Sequence, residues 1–83
     1  MRKTIQIVGV GERKTGVSKR NGKEYDFTEF AFTYEDGFFR GHKAEVCAFD
    51  QTMIADKTIG VGDILDVEMF TINFKTRIAC IYG

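Results

Sequence analysis

A two-residue periodicity is what most constrains this chain. Ile5 and Ile7 alternate with Thr4 and Gln6, and the apolar stretch continues through Val8 and Val10 to Gly11. Leu65, Val67 and Met69 alternate with Asp66, Glu68 and Phe70. Within 42–49, Ala44, Val46 and Ala48 share one parity, while Glu45, Cys47 and Phe49 share the other. Successive side chains of a strand point to opposite faces, so each such run is expected to bury one face. The fold class that follows is all-β. Only 50–57 departs from the pattern, where Asp50 can cap a short helix ending before Gly60.

Asn21-Gly22 organises the first half, because both residues tolerate the positive φ of a type I′ hairpin turn. The segment before it, Glu12 to Arg20, is nearly all polar, and Lys23 to Tyr34 is rich in aromatic and β-branched residues. Residues 13–34 therefore read as a protruding two-stranded arm with Arg20-Asn21-Gly22-Lys23 at its tip. A turn is expected at Glu35-Asp36-Gly37, followed by Phe38-Phe39-Arg40-Gly41 and then a third strand over 42–49. Gly60-Val61-Gly62-Asp63 opens the fourth strand, and the last spans 74–82. Five strands with a short connection after the third match a small five-stranded OB-fold barrel, and an open α+β sandwich is the alternative. At 83 residues the chain is one domain, 1–83. A core of this size can be marginal alone, so an oligomer would be unsurprising.

No apolar run approaches the ~20 residues of a membrane span. Lys3–Val10 alternates where a secretory leader would carry an apolar block. Two cysteines, Cys47 and Cys80, are too few for a disulfide scaffold. A soluble cytoplasmic protein with no membrane association is expected.

Catalytic chemistry has little to build on. His42 is the single histidine, Cys47 and Cys80 lie 33 positions apart, and Ser18 is the single serine. Gly9-Val10-Gly11 and Gly60-Val61-Gly62 do not continue into a dinucleotide fingerprint, since Lys14 and Leu65 stand where its third glycine would fall. No enzymatic activity, metal site or cofactor is expected.

The charge distribution is more informative. Net charge is zero, yet residues 1–23 carry seven cations against one anion, and 24–83 carry five against eleven. Arg13, Lys14, Lys19, Arg20 and Lys23 fall within eleven residues with no intervening acid. Such a cluster points its segment at an anionic partner. Tyr25 and Phe27 follow at once with the same parity, so their rings share a face. Cations that track phosphates beside rings that stack on unpaired bases suit single-stranded nucleic acid. Duplex recognition would call for a groove-entering helix. Two alternatives stay open from the residues: the charges can serve to block edge pairing, and Tyr25 and Phe27 can face the core. In the second case Phe30, Phe32 and Tyr34 would be partly exposed, unless a bulge near Thr28-Glu29 switches faces mid-strand.

The run Thr15-Gly16-Val17-Ser18-Lys19-Arg20-Asn21-Gly22-Lys23-Glu24-Tyr25-Asp26-Phe27-Thr28-Glu29 resembles the DNA-binding arm of the filamentous-phage single-stranded DNA-binding proteins, the gene V protein family. The resemblance is specific over about 13–34. It implies an OB-fold homodimer that coats single-stranded DNA during replication, cooperatively and with little sequence preference. It also implies that Lys14 and Arg20 contact phosphate, that Lys23 follows the turn glycine as its counterpart does, and that Tyr25 faces DNA. Phe27 then stands at the apolar position two further on. Arg77 corresponds to a cation on the last strand and Phe74 to an aromatic on the loop near the dimer dyad. Two departures are visible: the arm has one extra residue, Lys19 or Arg20, before its turn, and Phe70–Arg77 is shorter than the family's protruding dyad loop. The function expected is sequence-tolerant single-stranded DNA binding, with RNA possible. The alternative is an OB-fold interaction module for RNA or a protein partner.

Overall fold

The computed structural model describes residues 1–35, 37 and 40–82. Its elements are β1 (Arg2–Val17), β2 (Glu24–Tyr34), β3 (Lys43–Asp50), α1 (Gln51–Ile54), β4 (Ile64–Ile72) and β5 (Lys75–Ile81). The five strands form one antiparallel sheet in the order β3-β2-β1-β4-β5. Asp36, Phe38 and Phe39, in the turn expected after β2, lie outside the described residues. Asp50 caps α1 as expected, its carboxylate accepting from the Thr52 backbone N–H at 2.9 Å, but the helix lasts one turn. No helix among the described residues is long and apolar enough to cross a membrane.

The all-β expectation holds, while the closed barrel does not form. Among the described residues no ladder joins the two edge strands, β3 and β5. The sheet nevertheless curls until these edges meet, where the Cys47 thiol donates to the Thr76 carbonyl at 3.2 Å. Burial raises the pKa of that thiol, so it remains a neutral donor.

The core lies on the concave face of the sheet. It comprises Ile5 and Ile7 from β1, Phe30, Phe32 and Tyr34 from β2, Cys47 and Phe49 from β3, Leu65, Val67 and Met69 from β4, and Ile78 from β5. Ile54 of α1 covers one end. Phe32 and Phe49 have no exposed surface, and their rings meet edge to face at 6.3 Å. β2 keeps one parity from end to end, with no bulge at Thr28-Glu29: its register with β3 is continuous from Phe27 to Tyr34. The irregularities fall on β1 instead, between Ile7 and Gly9 and between Val10 and Arg13. At each, β1 carries one more residue than β2 opposite it, which kinks the strand and increases its twist.

The type I′ geometry expected at Asn21-Gly22 forms at the β4–β5 turn instead. The arm closes through a four-residue loop, Lys19 to Gly22, in which Gly22 N–H donates to the Ser18 carbonyl at 2.9 Å. Gly22 has φ 68° and Asn21 stays at negative φ, its side chain accepting from the Lys23 N–H at 3.0 Å. Asn21 thus serves as a local backbone acceptor rather than as the first residue of a type I′ turn. The paired positive φ values of that turn occur at Asn73 (51°) and Phe74 (63°), between β4 and β5.

The two ends of the chain are joined by a polar cluster on β1, β4 and β5. The Met1 ammonium binds the Glu68 carboxylate and the Met69 carbonyl, and Arg2 binds Asp66 at 2.6 Å. Arg2 also stands 4.4 Å from the Tyr82 ring centroid, and the Tyr82 hydroxyl donates to Glu68 at 3.0 Å. The bond to Glu68, with a further contribution from Cys80, pushes the Tyr82 pKa up to about 12. Asp66 and Glu68 are held below the usual carboxylate range by Arg2 and by the Met1 ammonium, respectively. Their stabilisation is complete above the unfolded pKa values of 3.8 and 4.5 and is lost as pH falls through the lower folded values. For Tyr82 the sign reverses: its contribution is complete below 10 and fades as pH rises toward 12. Thermal melts across pH should show a plateau with declines at both extremes, and Asp66→Asn should flatten the acid side.

Candidate nucleic-acid interface

The arm extends beyond the core because β4 pairs only with Arg2–Gln6 of β1. From Arg13 to Val17, β1 has β2 alone as partner, over Glu24–Thr28. Its two faces differ in chemistry. Thr28 points inward with Phe30, so Asp26 and the cross-strand Arg13 share that side of the arm. Arg13 binds Asp26 through two nitrogens, at 2.8 and 2.5 Å. That pairing holds Asp26 below the usual carboxylate range and raises Arg13.

The opposite face carries the rings. Tyr25 is 42% exposed and Phe27 half-buried, and their centroids lie 5.7 Å apart at an interplanar angle of 36°. Phe30, Phe32 and Tyr34 occupy the core, so the reading in which Tyr25 and Phe27 fill it is overturned. Tyr25 rests on Gly16, its cross-strand partner. A Cβ at Gly16 would fall 2.6 Å from the Tyr25 hydroxyl oxygen and 2.8 Å from Cζ, so only glycine lets the ring lie across β1. Lys14 pairs with Phe27 in register, and its Nζ donates to Glu29 at 3.0 Å.

Lys19, Arg20 and Lys23 are exposed at the loop, with no carboxylate partner for their side chains among the described residues. The five clustered cations thus divide into three unpaired at the tip and two engaged along the arm. Adjacent acids in the sequence do not reveal this, because the pairings depend on the register between strands.

Beyond Lys14 the ring face opens into a groove of about 470 Å³ lined by Gly9, Val10, Gly11, Glu12, Lys14, Glu29, Ala31 and Val46. Val46 also borders a second depression, of about 290 Å³, shared with Phe74 and Arg77. Val46 therefore links the arm to the two candidate residues of the β4–β5 hairpin, the second depression being lined otherwise by Glu45, Lys75 and Thr76. Gly16, Glu29 and the Gly9–Gly11–Ala31 floor were not among the sequence-predicted site residues. Gly16 is legible once Tyr25 is placed opposite it, but the groove requires the β1 bulges.

Phe74 is fully exposed and holds a left-handed φ that is costly for a bulky side chain. Neither packing within the chain nor local geometry favours phenylalanine there. Compared with family models, curated proteins and solved structures, the chain matches none. The family resemblance therefore rests on the residues of the arm. Phe74→Gly should raise stability by about 1 kcal/mol by relieving the left-handed backbone, read as a higher denaturant midpoint with an unchanged slope. A lower midpoint would mean that Phe74 is packed in solution.

Proposed function

We propose that this protein binds single-stranded nucleic acid, DNA foremost, by phosphate neutralisation and base stacking with little sequence preference. The observation that carries the reading is the exposed Tyr25 beside the half-buried Phe27 on the same face as Lys14, on an arm tipped by three cations with no carboxylate partner among the described residues. Rings accept any base because every base has a π-face, and exposed cations at the tip reach phosphates of a flexible strand. Arg77 and Phe74 would extend contact along the track past Val46. Coating of a genome during replication follows from the family resemblance and belongs to the same proposal. A protein-binding module would call for exposed rings without surrounding cations, whereas here the two adjoin.

Titration of labelled single-stranded DNA, duplex and RNA at two salt concentrations tests the class of ligand. Arg20→Ala and Lys14→Ala should each weaken binding to all sequences alike, and each lost phosphate contact should flatten the log–log salt slope by about 0.7. Unchanged slopes would place the phosphate site elsewhere.

Tyr25→Ala should cost about 1–3 kcal/mol of binding with little change in melting temperature, and Tyr25→Phe should retain most of the affinity. A core ring would behave oppositely, losing roughly 3–5 kcal/mol of stability.

The proposal includes a homodimer, which the exposed Phe70 and Ile72 of β4 favour. Sedimentation should give twice the chain mass at about ten micromolar, where a standard-size interface holds; a monomer would count against the dimer.

A further inference from the structure

The groove next to Phe27 has a feature that stacking and phosphate binding leave unused. Its floor of Gly9, Gly11 and Ala31 presents almost no side chain, and around it stand Val10, one cation, Lys14, and two carboxylates, Glu12 and Glu29, of which Glu29 is the one held by Lys14. Glu29 stands two residues after Phe27 on β2 and so shares its face. Gly11 is fitted closely to it: a Cβ there would fall 2.9 Å from the Glu29 carbonyl oxygen and 3.4 Å from its Cβ. A side chain at position 11 would therefore collide with the Glu29 backbone and narrow the groove.

A carboxylate on a surface that gathers phosphates opposes that task unless it makes a contact of its own. Ionised, it only accepts hydrogen bonds. The groups of a nucleic acid that suit it are the base amino groups, and glutamate accepts from N4 of cytosine in known base contacts. In the free protein Glu29 is satisfied by Lys14 at 3.0 Å. A phosphate that takes Lys14 releases Glu29 as a base enters the groove.

We propose that this groove is a base-reading subsite, in which Glu29 accepts a hydrogen bond from the exocyclic amino group of an unpaired base and so favours cytosine over thymine. The proposal rests on the single-stranded nucleic-acid reading above. Lys14 holds the phosphate, Phe27 borders the base, and the missing side chains at 9 and 11 give its edge room to approach Glu29. Thymine presents a carbonyl oxygen and a methyl group where cytosine presents its amino group. Two acceptors would then face each other.

The test is a titration of wild type and Glu29→Gln with oligo(dC) and oligo(dT) of equal length, at neutral pH and fixed salt. Thermal melting confirms that the variant is folded. Wild type should bind oligo(dC) about two- to tenfold more tightly, the range of one net hydrogen bond. Glu29→Gln, which frees Lys14 and can either donate or accept, should tighten both complexes and bring their ratio toward one. Equal affinities in wild type, or a ratio unchanged in the variant, would overturn the subsite and leave Glu29 a charge brake on Lys14. Failure of wild type to bind either oligonucleotide would sink the single-stranded reading itself, and the subsite with it.

Discussion

The structure depends on the unbroken parity of β2. Its even positions from Thr28 to Tyr34 face the core, and its odd positions carry Tyr25, Phe27 and Glu29 to the other side. A slip of one residue would exchange the two sets entirely. Burying a large apolar side chain stabilises by about 1.5–3 kcal/mol, and Phe30, Phe32 and Tyr34 together outweigh the two rings of the arm. Core packing thus fixes the phase, and the candidate binding face follows from it at the far end of the same strand.

Because β2 and β3 stay in register, the irregularity needed to twist a small sheet falls on β1. Its two bulges have local consequences that meet in the candidate site. The first separates the core-facing Ile5 and Ile7 from the groove glycines, and the second resets the register so that Gly16 comes opposite Tyr25. Glycine at 9, 11 and 16 accordingly reflects close approach by Ala31, Glu29 and Tyr25, and none of the three has a positive φ. The same twist brings the edge strands together without enough contact for a ladder, and the Cys47 thiol makes the bond that a backbone donor would otherwise supply. An all-β chain of this size therefore shields its edges by curling rather than by full closure.

Much of this was legible in the sequence, for an identifiable reason. The alternation in β1, β3 and β4 reports burial on one face, so Cys47 and Phe49 could be grouped apart from Val46, but which group lies inside was settled by packing of Phe49 on Phe30 and Phe32. The Asp50 cap was equally plain, being a contact between near neighbours. The tighter turn went to the wrong hairpin because composition favours Asn-Gly, whereas a six-residue gap between Val17 and Glu24 admits a longer loop stabilised by Ser18 and Asn21. Phe74 in a left-handed turn runs against local propensity, and no one-residue rule could place it there. The parity of Tyr25 and Phe27 could be stated only as a choice, since both phases of β2 are aromatic. Tertiary burial made that choice.

Electrostatics completes the argument, because the clustered charge of the arm is not uniformly available. Exposed ion pairs contribute little to stability, so Arg13–Asp26 and Lys14–Glu29 matter chiefly for where they hold their cations. Arg13 is turned to the core side, where it braces β1 against β2, and Lys14 stays on the ring face with an acid that a phosphate must displace. Among the described residues the tip cations have no such competitor. A strand arriving from solution therefore meets Lys19, Arg20 and Lys23 first, within a screening length of about 8 Å at physiological salt. Only afterwards does it compete for Lys14 and reach the rings. Zero net charge is compatible with this order, since steering depends on where charge is concentrated rather than on its total. The asymmetry along the sequence becomes an asymmetry in space because one hairpin carries five of the seven N-terminal cations away from the acid-rich remainder of the chain.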